Sequence, residues 1–358
     1  GFFMGAVIST SEVYMERRST IKDVAQEAGV SIATVSRVLN HNAFVTNDIK
    51  SKVLKAVDRL NYIPNTVAKS LKTNRTNSIG FMISDISSEF LIASARAMEG
   101  VLAADNYSMI LCSSENDPQR ERNYLRMLMS KNVDGIVLNT TGKNDDYVKE
   151  VSRDLPMVLF NRKVEGNDFR GDLVDTNNYD ASYELTRRLL QMGHRRIMVV
   201  RGPSWLSNAQ ERFDGFAAAM RSVEIDVNGD NYPYIYEGDF SVRTGQKAVE
   251  FLMKLPQRPT AVFSQNVVMT LGVMTCAREN NINIPDDISL VSYDGIPNAQ
   301  LMVTRPTAAV FDTMAMGQKI GRTILERIED PRIENRSFIF QQRIIQGNSI
   351  NMPVTQLE

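Results

Sequence analysis

The sequence predicts a small all-α unit followed by an α/β core of two doubly wound parallel-sheet lobes. Two observations lead to this fold class. Three short helical patterns, separated by turn signals, lie between Thr20 and Leu60. From Ser78 onward, short apolar runs alternate with amphipathic stretches, a pattern typical of parallel sheets covered on both faces. The alternating units are too many for one small sheet, so two similar lobes are expected.

The all-α unit begins with a capped helix. Thr20 and Asp23 form a capping-box arrangement in which the hydroxyl caps the first turn and the carboxylate lies near the positive helix end. Gly29 supplies the tight turn that ends this helix. Ser31 then caps a second helix, predicted over Ile32–Leu39.

A third helix follows Thr46 and stops before Pro64, because the residue before a proline disfavours helical geometry. Three short helices of this length make one compact unit. The apolar stripe of the third helix consists of Ile49, Val53, Val57 and Leu60.

The core pattern is a regular alternation of strands and helices. The predicted strands include 79–83, 108–111, 135–138, 157–160, 197–200, 261–263 and 288–291. The predicted helices include 89–104, 119–130, 179–192, 208–221, 242–255, 267–280 and 314–328.

Charge is distributed unevenly along the chain. The 358 residues carry 41 Lys+Arg and 42 Asp+Glu, a net charge of −1 that taken alone argues against a nucleic-acid binder. Between Glu16 and Arg75, eleven basic and five acidic side chains give +6, so the remaining 30 basic and 37 acidic ones give −7. A cationic module joined to an anionic one is expected if only the first meets a polyanion. A solvated basic face would give the same charge, so the local motif has to decide.

Catalytic, metal and membrane signals are missing from the sequence. Cys112, Cys276, His41 and His194 form no cluster, which argues against structural zinc and against Ser-His or Cys-His catalysis. No G-x-G-x-x-G or G-x-S-x-G motif occurs. No apolar run approaches the roughly 18 residues that a membrane helix needs. We therefore expect a cytoplasmic protein that binds rather than reacts, with no cofactor, metal or membrane partner.

The sequence of the first unit resembles the LacI/GalR family of bacterial transcription regulators. The matching run is TIKDVAQEAGVSIATVSRVLN at 20–40, and it continues through LNYIPN at 60–65 to AKSL at 68–71. This motif is long enough to be very specific. The resemblance implies a helix-turn-helix head that binds double-stranded operator DNA, most often as a repressor, and no enzymatic activity.

In that family the second helix enters the major groove, where its first two residues and an Arg one turn later contact bases. Carried over, these positions are Ile32, Ala33 and Arg37. Arg37 is suited to bidentate pairing with guanine, whereas Ile32 and Ala33 offer apolar contact to a thymine methyl or, alternatively, only helix packing. Ser31, Thr34 and Ser36 are expected on phosphates. The other candidate DNA contacts in the head are Thr20 and Asn40.

The segment from Asn65 resembles the family's hinge helix, which orders on operator binding and inserts a Leu from each subunit into the central minor-groove step. Here that residue is Leu71, and Lys69 and Lys72 supply the flanking cations. Packing within a linker is the alternative role for Leu71.

The core resembles the family's effector domain, which is periplasmic-binding-protein-like of type I. In that fold the chain crosses between lobes three times, here expected near Asn177, Thr307 and Arg336. The expected boundaries are an extension expected to be disordered at 1–18, the head at 19–64, the hinge and linker at 65–76, the core at 77–350 and a tail at 351–358. Within the core, lobe 1 is expected at about 77–176 and 307–336, and lobe 2 at about 177–306 and 337–350.

The resemblance implies that an effector binds in the cleft between the lobes. Asp294 follows a strand and matches the family's acceptor for ligand hydroxyl or N–H groups. Arg212 matches the Arg that clamps the ligand. Phe240 matches an aromatic position that stacks on a sugar ring, or else belongs to the core. The other candidate effector contacts are Ser84, Asp85, Asn139, Asn161, Arg162, Asn266 and Phe311.

Three cleft positions suggest the class of effector. Asn161 and Val267 stand where Asp is common in sugar-binding members, and Arg162 joins Arg212. Two guanidinium groups favour carboxylate or phosphate, so we expect a small polar metabolite such as a sugar, sugar acid or phosphosugar. A purine or other nucleobase acting as corepressor is the alternative. The sequence does not distinguish induction from corepression.

Useful operator affinity requires two heads on a two-fold symmetric site, so we expect a homodimer formed through the core. The expected location is the bacterial cytoplasm, in association with the nucleoid. A solute-binding receptor without a DNA role would share the core fold, but the helix-turn-helix motif argues against it.

Overall fold

The computed structural model describes residues 19–39, 45–63, 75–228 and 231–353. The predictions made for 1–18, Asn40 and the hinge positions Lys69, Leu71 and Lys72 lie outside the described residues. The chain divides into two compact units, Gly1–Asn74 and Arg75–Glu358.

The first unit, the head, contains the three predicted helices. The backbone N–H of Thr20 donates to Asp23 Oδ2 at 2.7 Å and that of Asp23 donates to Thr20 Oγ1 at 3.4 Å, which completes the capping box. Gly29 ends the first helix with φ 64°, a conformation that favours glycine. The helices are α1 (Ile21–Ala28), α2 (Ile32–Leu39) and α3 (Asn47–Arg59).

One small apolar core joins these helices. Val24 of α1, Val35 of α2 and Val53 of α3 are each fully buried and belong to one cluster. Burial of such side chains provides most of the stability of short helices, which are marginal in isolation. The apolar periodicity of the sequence therefore corresponds to the inward faces of all three helices.

The second unit, the core, alternates strands and helices. Its first part consists of β1 (Ser78–Ile83), α4 (Glu89–Ala104), β2 (Ser108–Ser113), α5 (Pro118–Ser130), β3 (Gly135–Leu138), α6 (Asp145–Asp154), β4 (Met157–Phe160) and β5 (Asp172–Thr176). Its second part consists of α7 (Asn178–Gln191), β6 (Ile197–Arg201), α8 (Ser207–Arg221), β7 (Ile235–Glu237), α9 (Val242–Met253), β8 (Ala261–Ser264), α10 (Val267–Glu279), β9 (Ser289–Tyr293) and β10 (Thr307–Val310). The chain then adds α11 (Thr313–Glu329), β11 (Ser337–Phe340) and β12 (Arg343–Ile345).

Two six-stranded sheets organise the core into lobes. The first sheet has the order β11-β5-β4-β3-β1-β2 and is parallel throughout. The second has the order β12-β10-β9-β8-β6-β7, and its edge strand β12 runs antiparallel to β10. The prediction of two parallel-sheet lobes is confirmed, with the antiparallel β12 at the edge of the second sheet. In each sheet the strand order reverses at one point, beside β1 in the first lobe and beside β6 in the second.

Two of the three chain crossings lie later than expected. The strand β10 pairs with β9 of the second sheet, so 307–310 belongs to lobe 2 rather than lobe 1. The strand β11 pairs with β5 of the first sheet, so 337–340 belongs to lobe 1 rather than lobe 2. These strands have four residues each, and only pairing with a distant strand determines which sheet they join.

Close helix contacts cover the sheets. Gly317 of α11 lies so near α4 that a Cβ atom there would be 2.2 Å from the carbonyl oxygen of Ser94.

The first residue of the expected tail contacts lobe 2, since the backbone N–H of Asn351 donates to Ser289 Oγ at 3.0 Å. Across the described ranges, no helix has the length and apolar character needed to cross a membrane.

Candidate functional site

The second helix of the head presents a solvent-facing surface. Ser31, Ile32, Ala33 and Arg37 are exposed, with Ile32 at 44% of its full accessibility, whereas Val35 on the opposite side is fully buried. Because exposed residues contribute little to packing, this exposure argues against the packing alternative for Ile32 and Ala33. Their contact with bases stays a prediction.

The other head candidates lie at helix starts. Ser31 Oγ accepts the backbone N–H of Thr34 at 3.1 Å, and the two hydroxyl oxygens lie 2.9 Å apart. Thr20 occupies the corresponding position before α1. Helix starts favour anions, so the start of α2 suits phosphate, whereas at the start of α1 Thr20 already donates to the Asp23 carboxylate. Ser36 is partly buried on the middle turn of α2.

In the core, a cleft lies between the carboxyl ends of the two sheets. Ser84 and Asp85 follow β1, while Asp294 follows β9. Ligands of open α/β sheets bind at such ends, where the strand order reverses. The enclosed space between the walls is about 40 Å³, and about 430 Å³ when the open mouth is included. Nine of the ten candidate effector residues line it: Ser84, Asp85, Asn139, Asn161, Arg162, Arg212, Phe240, Asn266 and Asp294.

Arg212 on α8 is nearly buried in the lobe 2 wall. Its Nε donates to Asn178 Oδ1 at 2.8 Å and its Nη1 to the carbonyl oxygen of Gln265 at 2.6 Å. Its Cζ lies 3.6 Å from the ring centroid of Tyr293, a cation–π contact. These contacts fix the guanidinium without an ion pair to any described carboxylate, so its charge remains available to a ligand.

Arg162 in the lobe 1 wall is held in a similar way. Its Nη1 donates to the carbonyl oxygen of Thr140 at 2.8 Å and to Asn116 Oδ1 at 3.1 Å. The side chain forms no ion pair with a described carboxylate. Burial, and the positive charge of Arg212, lower the pKa of Arg162 to about 10. The positive charges of Arg162 and Arg212 therefore act on each other, and the negative charges of Glu121 and Asp85 partly compensate that of Arg162.

Three buried polar atoms in the lobe 1 wall have no hydrogen-bond partner. They are Asn139 Oδ1, Asn161 Oδ1 and Arg162 Nε. The orientation of Asn139 is fixed, because its Nδ2 donates to the carbonyl oxygen of Phe160 at 2.8 Å. Buried groups without partners are uncommon and costly, and a ligand is one way to satisfy them. Two acceptors beside one donor match a ligand that carries hydroxyls and an acidic group.

Three cleft residues have left-handed backbone conformations. The φ angles are 60° for Asn161, 63° for Phe240 and 65° for Asp294. For a bulky residue such as Phe240 this conformation is strained, and strain of this kind is concentrated at functional sites. Burial raises the pKa of Asp294 to about 6, although Arg212 partly opposes the shift.

Phe240 packs within the lobe and also faces the cleft. Its ring covers Gly202 so closely that a Cβ atom there would lie 2.1 Å from the ring. Asn266 caps α10 by accepting the backbone N–H of Met269 at 2.8 Å, and its Nδ2 donates to the carbonyl oxygen of Phe240 at 3.2 Å. Both polar atoms of Asn266 are therefore engaged within the protein.

Phe311 does not line the cleft. It follows β10 at the second crossing, and its ring packs against Tyr293 with centroids 5.5 Å apart, so its place at the rim stays a prediction. Six lining residues were not predicted. One of them, Asn208, lies one helical turn before Arg212 on the same face of α8, a spacing that could have identified it. The unpredicted residues are Ser88, Phe90, Leu91, Asn116, Asn208 and Val268.

The described part of the chain holds no group of three or more His, Cys, Asp or Glu side chains that could bind a metal ion. Cys112 and Cys276 are buried free thiols, and burial raises the pKa of both. His194 is buried, and its Nε2 lies 2.9 Å from the carbonyl oxygen of Asn351 at the surface of lobe 2.

Two family models match this chain. "Bacterial regulatory proteins, lacI family" matches residues 20–65, and "Periplasmic binding proteins and sugar binding domain of LacI family" matches residues 76–347. The HTH-type transcriptional repressor PurR of Vibrio parahaemolyticus is 34% identical over 93% of this chain and 98% of its own length. The PurR repressor of Proteus mirabilis is also 34% identical, over 93% and 97%.

Solved structures share the fold. The lac repressor dimer bound to operator and the anti-inducer ONPF matches with a TM-score of 0.80 at 22% identity, covering 94% of this chain and 100% of that one. The complex of the transcriptional regulator CelR with cellobiose matches with a TM-score of 0.68 at 24% identity, covering 93% and 100%.

Proposed function

The chain belongs to the lacI family of bacterial regulatory proteins, whose members are DNA-binding transcription regulators rather than enzymes, and we propose how this member works. It binds a palindromic operator as a homodimer and represses transcription from it. A small polar metabolite that carries a carboxylate or phosphate binds in the core cleft and changes operator affinity. Such a protein acts on the nucleoid in the bacterial cytoplasm.

The exposed face of α2 supports the operator part of this proposal. Arg37 lies on this face, where no described carboxylate neutralises it, and an arginine in the major groove is suited to guanine. Ile32 and Ala33 lie at the start of the same helix and offer apolar contact to a thymine methyl. One head makes few phosphate contacts, so two heads in one dimer are required for useful affinity.

We propose an anionic effector because two arginines line the cleft. Arg162 and Arg212 come from opposite lobes, each anchored on a backbone carbonyl and a side-chain amide instead of a carboxylate. Asp85 and Asp294 also line the cleft, so the effector needs hydroxyl or N–H groups as well as an acidic group. A sugar acid or phosphosugar has this combination of groups.

A nucleobase is the second candidate effector. The relatives named PurR favour it, because the LacI/GalR family includes purine repressors. Phe240, which is buried at the cleft wall, is an aromatic ring against which a planar base could stack, and Asp294 offers an acceptor for ring N–H groups. In this case the arginine pair would contact the carbonyl oxygens of the base.

A thermal-shift screen of sugars, sugar acids, phosphosugars and nucleobases tests the effector. We expect sugar acids or phosphosugars to raise the melting temperature of the full-length protein, and Arg162→Met to abolish that rise. Arg201→Met is the matched control, since Arg201 is a buried arginine outside the cleft whose Nε lies 3.7 Å from Glu237 Oε2. A neutral sugar that binds as tightly as its acid would contradict the anionic class, and a shift by nucleobases alone would favour the second candidate.

A further inference from the structure

A single loop of lobe 1 forms two polar contacts with α8 of lobe 2. Lys163, in the loop between β4 and β5, forms an ion pair through its Nζ with Glu211 Oε1. The backbone N–H of the same residue donates to Ser207 Oγ at 2.8 Å. Both acceptors lie in the first two turns of α8. Within the described ranges, this is the one ion pair that joins the two lobes.

The acceptor of this ion pair is connected to the effector arginine. Asn178, the first residue of α7 after the first crossing, donates through Nδ2 to Glu211 Oε2 at 3.2 Å. Its Oδ1 accepts from Arg212 Nε at 2.8 Å and from the Tyr293 hydroxyl at 3.0 Å. Asn178 is almost completely buried. One amide therefore ties the interlobe ion pair to a guanidinium that faces the cleft.

Neighbouring contacts lie along the same side of the cleft. Lys143 of lobe 1 places its Nζ 4.0 Å from the ring centroid of Trp205 of lobe 2. A Cβ atom on Gly142 would lie 2.9 Å from Leu206 Cδ2, so the two loops are in close contact. The lobes thus meet around the start of α8.

Opposing electrostatic forces act across this cleft. The like charges of Arg162 and Arg212 favour separation of the lobes; burial is the main cause of the lowered pKa of Arg162, and the charge of Arg212 adds to it. The opposite charges of Lys163 and Glu211 favour their approach. An anionic effector would remove the repulsion and leave the attraction, so the ion pair determines how readily the empty cleft closes.

We propose that Lys163 and Glu211 are positioning residues that form an interlobe latch: they hold the cleft closed beside Arg212 without touching the effector. Effector affinity then depends on them, because a ligand that needs the closed cleft binds in proportion to the population of that state. The role assigned to the latch depends on the proposed function only in taking the cleft as the effector site.

Distances between spin labels in the effector-free, full-length protein test the latch. Exposed Gln119 on α5 and exposed Arg243 on α9 lie on opposite lobes, each three residues beyond a cleft-lining residue. Both are replaced by labelled cysteines in a protein whose native cysteines are replaced by serine. Dilution with unlabelled protein restricts the signal to label pairs within one subunit.

We expect Lys163→Met and Glu211→Gln each to lower the population with the short label distance, relative to the population with the long distance, about two- to fivefold. This size is typical of a partly exposed ion pair. Glu211→Gln keeps an acceptor for Asn178, and Lys163→Arg should restore the original ratio. Lys149→Met is the matched control, because it removes an ion pair with Asp146 that lies within lobe 1. Unchanged distances in both latch variants, or an equal change in the control, would overturn the proposal. The thermal-shift screen would be unaffected by that result, so the two proposals can fail separately.

Discussion

A buried carboxyl beside the latch gives a prediction whose sign and size follow from the structure. Asp175 is the penultimate residue of β5 and is fully buried. Its Oδ1 accepts the backbone N–H of Thr176 at 2.7 Å and Asn178 Nδ2 at 3.3 Å, whereas its Oδ2 has no partner. Burial raises the pKa of Asp175 to about 6, and the negative charge of Glu211 adds to the shift. We predict that Asp175→Asn stabilises the core at neutral pH.

The sign follows from proton linkage. A carboxyl whose pKa is higher in the folded than in the unfolded state binds more protons when folded, so stability falls as pH rises from about 4 to about 6. The shift of about two pKa units above the ordinary value of 3.8 corresponds to about 3 kcal/mol of destabilisation of the folded state. This destabilisation is present in full above pH 6, where the buried carboxyl is ionised. Asparagine keeps the acceptor for Thr176 and removes the buried charge. The variant should therefore gain up to about 3 kcal/mol at pH 7.5 and about half of that at pH 5.

Urea unfolding at pH 5 and pH 7.5 measures this difference. Trp205 is the only tryptophan in the sequence and lies in the core, so its fluorescence follows the unfolding of this unit. Asp105→Asn is the control, because that exposed carboxyl follows α4 and its replacement should not change the pH dependence. An Asp175→Asn variant that is equally or less stable than the parent protein at pH 7.5 would refute the reasoning.

Three further predictions concern the head, the hinge and lobe 1. Arg37→Ala should weaken binding to the preferred operator by roughly 1–3 kcal/mol and relax specificity at one base pair, as measured by fluorescence anisotropy on matched and substituted sites. Lys72→Ala should weaken binding to all sequences alike and reduce the slope of log affinity against log salt by about 1; equal losses on all DNA for both variants would contradict the assigned roles. Asp172→Asn should lower the unfolding free energy by about 3–5 kcal/mol in circular-dichroism melts, because it removes the buried partner of Arg327, whose Nε lies 2.8 Å from Asp172 Oδ2. Asp330→Asn, which breaks an exposed pair, should cost less than about 1 kcal/mol.

Some cleft residues could be located from the ends of apolar runs, whereas others, such as Arg212 and Phe240, came from the resemblance to the LacI/GalR family. Asn139 and Asn161 directly follow the predicted strands 135–138 and 157–160, which the structure has at the same residues. In open α/β sheets such positions lie at the ligand edge, so their approximate location follows from local pattern alone. The helix starts of the head were predictable for a similar reason, since capping by Thr20 and Ser31 depends on residues three positions away.

Features that depend on distant pairing were not predictable. The strand 307–310 was expected in lobe 1, because a run of four residues gives no pattern that distinguishes one sheet from the other. The latch joins Lys163 to Glu211, which are 48 positions apart in the sequence, and neither position has a sequence signature. The role of Asn178 likewise becomes visible only when α7 and α8 are packed together.

The central claim is that this chain is a sequence-specific operator-binding regulator whose cleft ligand controls the binding. Selection of bound fragments from a random DNA library with the full-length protein, repeated with each ligand from the thermal-shift screen, tests this claim directly. We predict enrichment of one two-fold symmetric sequence. A cleft ligand should change the affinity for this sequence at least fivefold, on the order of 1 kcal/mol or more, and the Arg162→Met variant should no longer respond to that ligand. Fragments recovered without any common sequence, or operator affinity that no cleft ligand changes, would contradict it.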